Sequence, residues 1–153
     1  THGIQGLDLL GRKVLMHDGA AFKLLAMRIR ATVQASLALQ PLAAPARQLQ
    51  MALQALESAT RAAWMNGLPE EALANATPYL QAFGHMVLAW LWLDVARVCQ
   101  ARLDTAVADA DALHGRLAAM RYFYAYELPK SDAWLLAVAA RQSVCRDMQP
   151  KWF

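Results

Sequence analysis

The sequence predicts an all-α fold: an up-and-down helical bundle of about four long helices with a leading helix in front. Three observations carry this reading. Apolar residues recur at intervals of three and four along nearly the whole chain, the period of a helix face. Alternating β-branched runs, the mark of a half-buried strand, are absent. Of the 153 residues, 58% are hydrophobic and 18% charged, too apolar a balance for global disorder. Much of the apolar content is alanine, the strongest helix former, and five Trp and seven Met supply bulk. The length suits one domain with a sizeable core.

The leading helix is predicted over residues 4–15, where Ile4, Leu7, Leu10 and Val14 share a face, and it stops at "HDG" (17–19). Asp18 stands where an N-cap for the second helix would be. That helix carries Phe22, Leu25, Ile29, Val33 and Leu37 on one side and ends at the two prolines of "QPLAAP" (40–45). The third helix has Leu49, Leu53, Leu56 and Ala63 as its stripe. "NGLPEE" (66–71) then reads as a stop and restart: Gly67 for a helix end, Pro69 for a first turn, and two Glu against the N-terminal dipole. Thr77 with Pro78 marks the start of the fourth helix, which runs to about residue 103 and contains "MVLAWLWL" (86–93). Those eight residues are too few to cross a bilayer, which takes about 20. Apolar on more than one side, this helix is expected to be the central one, most buried around Phe83, Val87, Trp90 and Leu91. A fifth helix is predicted over residues 105–128 and broken by Pro129. Ser131 or Asp132 would cap the last, over residues 133–148, with Leu135 and Val138 inward.

The formal net charge is +3, and the fifteen basic residues are scattered, with no run longer than Arg12-Lys13. Nucleic-acid binders gather Lys and Arg on one face, so a solvated surface is expected instead. Cys99 and Cys145 lack a CxxC partner and read as reduced, half-buried thiols of a cytoplasmic protein.

Several side chains invite chemistry. Asp111 and His114 share a helix face, but Asp109 lies across from them, and no ExxH pair recurs on a second helix as a di-metal bundle requires. A solvated face is expected, with no metal. His85 sits in apolar surroundings, where a ring bonded to a backbone carbonyl is the common arrangement. Asp94 and Arg97, three apart, suit an ion pair. In "RYFYAYELP" (121–129), Tyr122 and Tyr126 fall on one face, beside Phe123 and Tyr124, and read as a packing or subunit-contact surface rather than a ligand platform. No nucleophile–base pair, phosphate loop or GxGxxG is present, and no catalytic residue is assigned.

The opening "THGIQGLDLLGRK" resembles a segment of the flavin-dependent acyl-CoA dehydrogenases. In that family the motif Tyr-Glu-Gly-Thr-x-x-Ile-Gln leads into the last helix of the catalytic bundle, and its Glu is the catalytic base. Thr1, Ile4 and Gln5 match; the Glu and Gly would immediately precede Thr1. "LDLLGRKVL", "GAAF", "ALANATPYLQAFG" and "RYFYAYELP" resemble landmarks of a bacterial subclass with an extra helical C-terminal domain, which includes 3-methylthiopropanoyl-CoA dehydrogenase. His2 stands where the subclass often has Asn. The resemblance implies residues 1–17 as the end of the catalytic bundle and residues 18–153 as the extra domain.

The resemblance also implies a parent enzyme that oxidises an acyl-CoA substrate. Its Glu takes the α-proton, the β-hydride passes to FAD, and electrons leave to an electron-transferring flavoprotein. Thr1, His2 and Gly3 would lie along the FAD, and a homo-oligomer is implied. This chain alone is expected neither to bind FAD tightly nor to oxidise an acyl-CoA. The rival reading is a non-catalytic helical module that binds partners through its aromatic patch. Since burying Ile4, Leu7 and Leu10 is worth roughly 1.5–3 kcal/mol each, the leading segment is expected to fold back on its own domain or to pack on a neighbouring copy.

Overall fold

The computed structural model of the protein describes residues 3–105 and 110–153. Among the described residues it contains eight α-helices and no strand. The leading helix α1 (Ile4–Asp8) runs on into a π-helical turn, Leu9–Lys13. Helix α2 (Met16–Leu37), a 3-10 turn at Gln40–Leu42 and α3 (Ala43–Ala63) follow, then the short α4 (Pro69–Leu73). The longest helix is α5 (Ala76–Leu103). Helix α6 (Ala110–Tyr122) continues through a π-helical turn, Phe123–Glu127, to α7 (Lys130–Ala139) and α8 (Val144–Asp147). The all-α bundle is thus the observed architecture, and α5 is its central member, touching α1, α2, α3, α6 and α7.

The stripes read from the sequence in α2 and α3 line the core. Ile29, Val33, Leu49, Leu53, Leu56 and Ala63 are buried, while Phe22, Leu25 and Leu37 pack half-buried against them. Leu135 and Val138 of α7 face inward as expected. Gly67 is left-handed (φ 69°), Pro69 opens α4, and Glu70 and Glu71 occupy its first turn.

The helix starts differ from expectation. Asp18 does not cap α2: His17, Asp18 and Gly19 are all left-handed (φ 50°, 60° and 73°), whereas a capping residue holds an extended backbone. The turn is fixed by the Gly19 N–H donating to the Leu15 carbonyl at 3.1 Å. Thr77 does not cap α5, which begins one residue earlier at Ala76. Its flanking Asn75 turns its amide to the Gln142 carbonyl instead (3.0 Å). Pro78 is accommodated in the first turn, where an N–H has no helical partner anyway. Neither Ser131 nor Asp132 caps the next helix; the buried Ser131 hydroxyl donates back to the Leu128 carbonyl at 2.6 Å.

The predicted last helix is cut at Ala139. Arg141 is left-handed (φ 49°) and its Nη1 donates to the Ala62 carbonyl at the end of α3 (2.9 Å), with its Nε 3.5 Å from Glu71. That tertiary tie outweighs the helical pattern, so the remainder forms the separate α8.

Burial within α5 also departs from expectation. Leu91 is 48% exposed, and Phe83, Val87 and Trp90 are half-buried. The core face is instead Tyr79, Ala82, Met86, Ala89, Leu93, Ala96 and Cys99, all 3% exposed or less. By length and composition α5 could also cross a membrane, with a mean hydropathy of 1.3 in its most apolar window, 33% of which is buried inside the bundle. The two thiols differ from the expected half-burial: Cys99 is buried and Cys145 exposed, both free.

Candidate functional site

The leading segment is built around two glycines. Gly6 is buried against the first turn of α5, and a Cβ there would lie 2.6 Å from the Ala76 carbonyl oxygen, so only glycine lets α1 come this close. A Cβ on Gly11 would meet the Leu73 side chain of α4 at 3.2 Å. Leu10 and Val14 enter the core at 0% and 5% exposure. Trp64, at the end of α3, donates its indole N–H to the Leu10 carbonyl (3.2 Å), an oxygen lying in the π-helical turn. The segment thus folds back on its own domain, one of the two expected outcomes. Ile4 and Leu7, three apart, remain exposed (54% and 44%). On the outer surface the Arg12 guanidinium, 2.6 Å from Asp8, holds that carboxyl below its ordinary range.

Of the three residues the resemblance assigns to a flavin, Thr1 and His2 lie outside the described residues. Gly3 opens α1 with φ 78°, a left-handed conformation that glycine adopts without steric cost, and its carbonyl accepts the Leu7 N–H at 3.0 Å. A Cβ there would sit 3.8 Å from the Thr77 hydroxyl. The backbone conformation by itself accounts for a glycine at this position.

His85 stands where α5, the Phe123–Glu127 turn and α7 meet. Its Nδ1 is 2.9 Å from the Gln81 carbonyl, the backbone bond expected for it, although the ring is half-buried rather than in the core. Its ring lies edge-on to Trp134 (4.9 Å) and beside Phe123 (5.9 Å). Nε2 is 3.7 Å from Glu127. The Lys130 ammonium, bonded at 2.7 Å, and secondarily His85 hold the Glu127 carboxyl below its ordinary range. No hydroxyl or thiol nucleophile is among these contacts, so the cluster ties three elements together.

Tyr122 and Tyr126 are both exposed, with ring centroids 4.9 Å apart, on one face as the spacing predicts. Tyr124 points the other way, buried, its hydroxyl donating to the Ala89 carbonyl at 2.9 Å; burial pushes its pKa well up. Asp94 and Arg97 form the expected pair at 2.9 Å. Asp111 and His114 are exposed, Asp109 lies outside the described residues, and among the described residues no three His, Cys, Asp or Glu side chains group to hold a metal.

The sequence reading missed a buried polar pair and a close approach. The Tyr79 and Thr60 hydroxyls are 2.7 Å apart in the core, and burial lifts Tyr79 to about 12. No local pattern announces that pair, since its members lie on different helices. Gly6 and Gly11 inside a helical period were the available signal for the docking of α1.

No curated protein matches the chain. Residues 25–149, from α2 through α8, match the family described as acetyl-CoA dehydrogenase C-terminal like. That match covers most of the sequence, and on it the chain belongs to the acetyl-CoA dehydrogenase C-terminal-like family.

Proposed function

We propose that this chain is the C-terminal domain of an FAD-dependent acyl-CoA dehydrogenase, a cytoplasmic bacterial enzyme of the subclass with an extra helical domain, and that the domain itself is structural and mediates self-association. The observation that carries the reading is the family match over residues 25–149, preceded by a segment resembling the end of the catalytic bundle and docked through Gly6, Leu10 and Trp64. In the parent enzyme, FAD would accept a hydride from the β-carbon of an acyl-CoA. The residues of this chain do no bond-breaking. Gly6 and Gly11 seat the leading segment on α5 and α4, and exposed Ile4 and Leu7 offer an apolar edge to the catalytic bundle. Helix α5 is read as a bundle helix because its core face packs against α3, α6 and α7.

The test is the product of the complete coding sequence. It should be several times heavier than 16.9 kDa, yellow, and able to reduce an electron-transferring flavoprotein when an acyl-CoA is added. The 153-residue chain alone should be colourless and inactive. A natural product that starts near Thr1 and carries no flavin would overturn the proposal in favour of a free-standing interaction module.

A further inference from the structure

On the side of α5 opposite its core face, Gly84, Leu88, Leu91, Val95, Val98 and Arg102 follow one another at intervals of four, three, four, three and four. All six are exposed, the four apolar ones at 47%, 48%, 38% and 58%. A 4-3 repeat is the period at which one helix meets another along a seam. A second such repeat on a helix whose core face is already filled has no partner within the described chain.

We propose that this outward seam of α5 is the self-association surface of the domain, pairing antiparallel with the same seam of a second copy across a two-fold axis. The inference rests on the reading above and names the surface it requires. The spacing fixes the register. When Leu91 of one copy faces Val95 of the other, Leu88 faces Val98, and the symmetry repeats both pairings, so four layers in succession are apolar. In the flanking layers Gly84 faces Arg102. A Cβ at Gly84 meets nothing within 4 Å, which leaves room for the long arginine stem. No other register of the seam aligns as many apolar layers.

Size and charge agree with a protein partner. From Gly84 to Arg102 the seam is about 27 Å long at 1.5 Å per residue and about 10 Å wide, too small by itself. Helix α6 borders it, with Leu113 and Arg116 closing a groove of about 260 Å³ beside Val95 and Val98. At helix spacings of 8–10 Å the two-helix face reaches about 600 Å² per copy, the lower edge of specific interfaces. Asp94, Arg102 and Arg116 line that groove at the C-terminal end of the apolar strip, Asp94 paired with Arg97. Such a charged rim around an apolar centre suits a protein interface and opposes insertion into a hydrocarbon phase.

The test uses the 153-residue chain and the complete gene product side by side. Sedimentation over a concentration series should show a monomer–dimer equilibrium, and Leu91→Glu should weaken it about 30-fold or more while leaving helix content and thermal unfolding of the monomer intact, since Leu91 is outside the core. On a Cys145→Ser background, Leu88→Cys with Val98→Cys should give an oxidised covalent dimer, and Leu88→Cys alone should not, because the two copies of residue 88 stand about 15 Å apart along the axis. A chain monomeric at all concentrations, unchanged association of Leu91→Glu, or crosslinking by Leu88→Cys alone would each overturn the proposal. So would a monomer that instead binds phosphatidylglycerol–phosphatidylcholine vesicles through this face. An active flavoenzyme unaffected by Leu91→Glu would sink the seam and leave the functional reading standing. A seam-dependent dimer whose gene product carries no flavin would do the reverse.

Discussion

The two long faces of α5 carry the same 4-3 repeat and have opposite fates. The core face alternates large and small: Tyr79, Met86 and Leu93 with Ala82, Ala89 and Ala96 between them. The outward face holds Leu88, Leu91, Val95 and Val98, more uniformly bulky and more apolar than the alternating set. Hydrophobicity alone would have turned the outward face in. Close approach decides otherwise: the buried alanines let α3, α6 and α7 come near, and the large residues between them fill the gaps, which is how interiors reach their density. A strip of leucine and valine without small residues cannot be approached as closely by several neighbours at once.

Truncating the two faces should separate them most sharply. Leu93→Ala, at a position with no exposure, is expected to cost about 2–5 kcal/mol of stability through lost burial and a residual cavity. Leu91→Ala, two residues away but 48% exposed, should cost under about 1 kcal/mol when measured on the monomer. Equal losses by denaturant titration would erase the distinction between the faces.

A second contrast sets the docked leading segment against the outward seam. Gly6→Ala puts a methyl against the Ala76 carbonyl oxygen, where a Cβ would stand 2.6 Å away. It should cost about 1–3 kcal/mol by forcing the backbones apart and make the first fourteen residues readily cleaved by protease. Gly84→Ala, on the open side, should do neither.

On the core face, Tyr79→Phe should cost about 0.5–1.5 kcal/mol for the lost hydroxyl pair; the Thr60 hydroxyl keeps its bond to the Leu56 carbonyl at 2.8 Å. Because Tyr79 is raised to about 12 in the fold, its contribution is complete below pH 10 and is lost as pH climbs toward 12, so stability should fall over that window. Tyr79→Phe should flatten that decline, with Tyr124, also raised by burial, retaining part of it. An unchanged slope in alkaline unfolding curves would count against the buried-hydroxyl account.

The smallest effect is expected where α5, the Phe123–Glu127 turn and α7 meet and Glu127 joins Lys130 and His85. Its carboxyl is held below the ordinary range, chiefly by Lys130, so its stabilising share is present above the ordinary carboxylate pKa and disappears as pH falls through the depressed value. Glu127→Gln should therefore lower neutral-pH stability slightly and leave stability below the depressed value unchanged, which flattens the acid side of the stability–pH profile. A steeper acid decline in the variant would show the sign to be wrong.

What the sequence by itself determined was whatever depends on neighbours three and four residues apart. The helices of α2 and α3, their buried stripes from Ile29 to Leu56, the Gly67–Pro69 restart and the Asp94–Arg97 pair are local in this sense, and each is where the periodicity placed it. The family, too, was legible through motifs such as "NATPYLQAFG", and the match over residues 25–149 agrees with them. Tertiary structure decided the rest. Which face of the all-round apolar α5 turns inward depends on the shapes of the five other helices it touches. The cut at Ala139 depends on Arg141 reaching the Ala62 carbonyl, and the left-handed run at His17–Gly19 carries α1 back to a start of α5 more than fifty residues away. Local propensities differ by only about 1 kcal/mol per residue. A single buried contact between distant segments is worth as much, and so the chain yields to it wherever the two disagree.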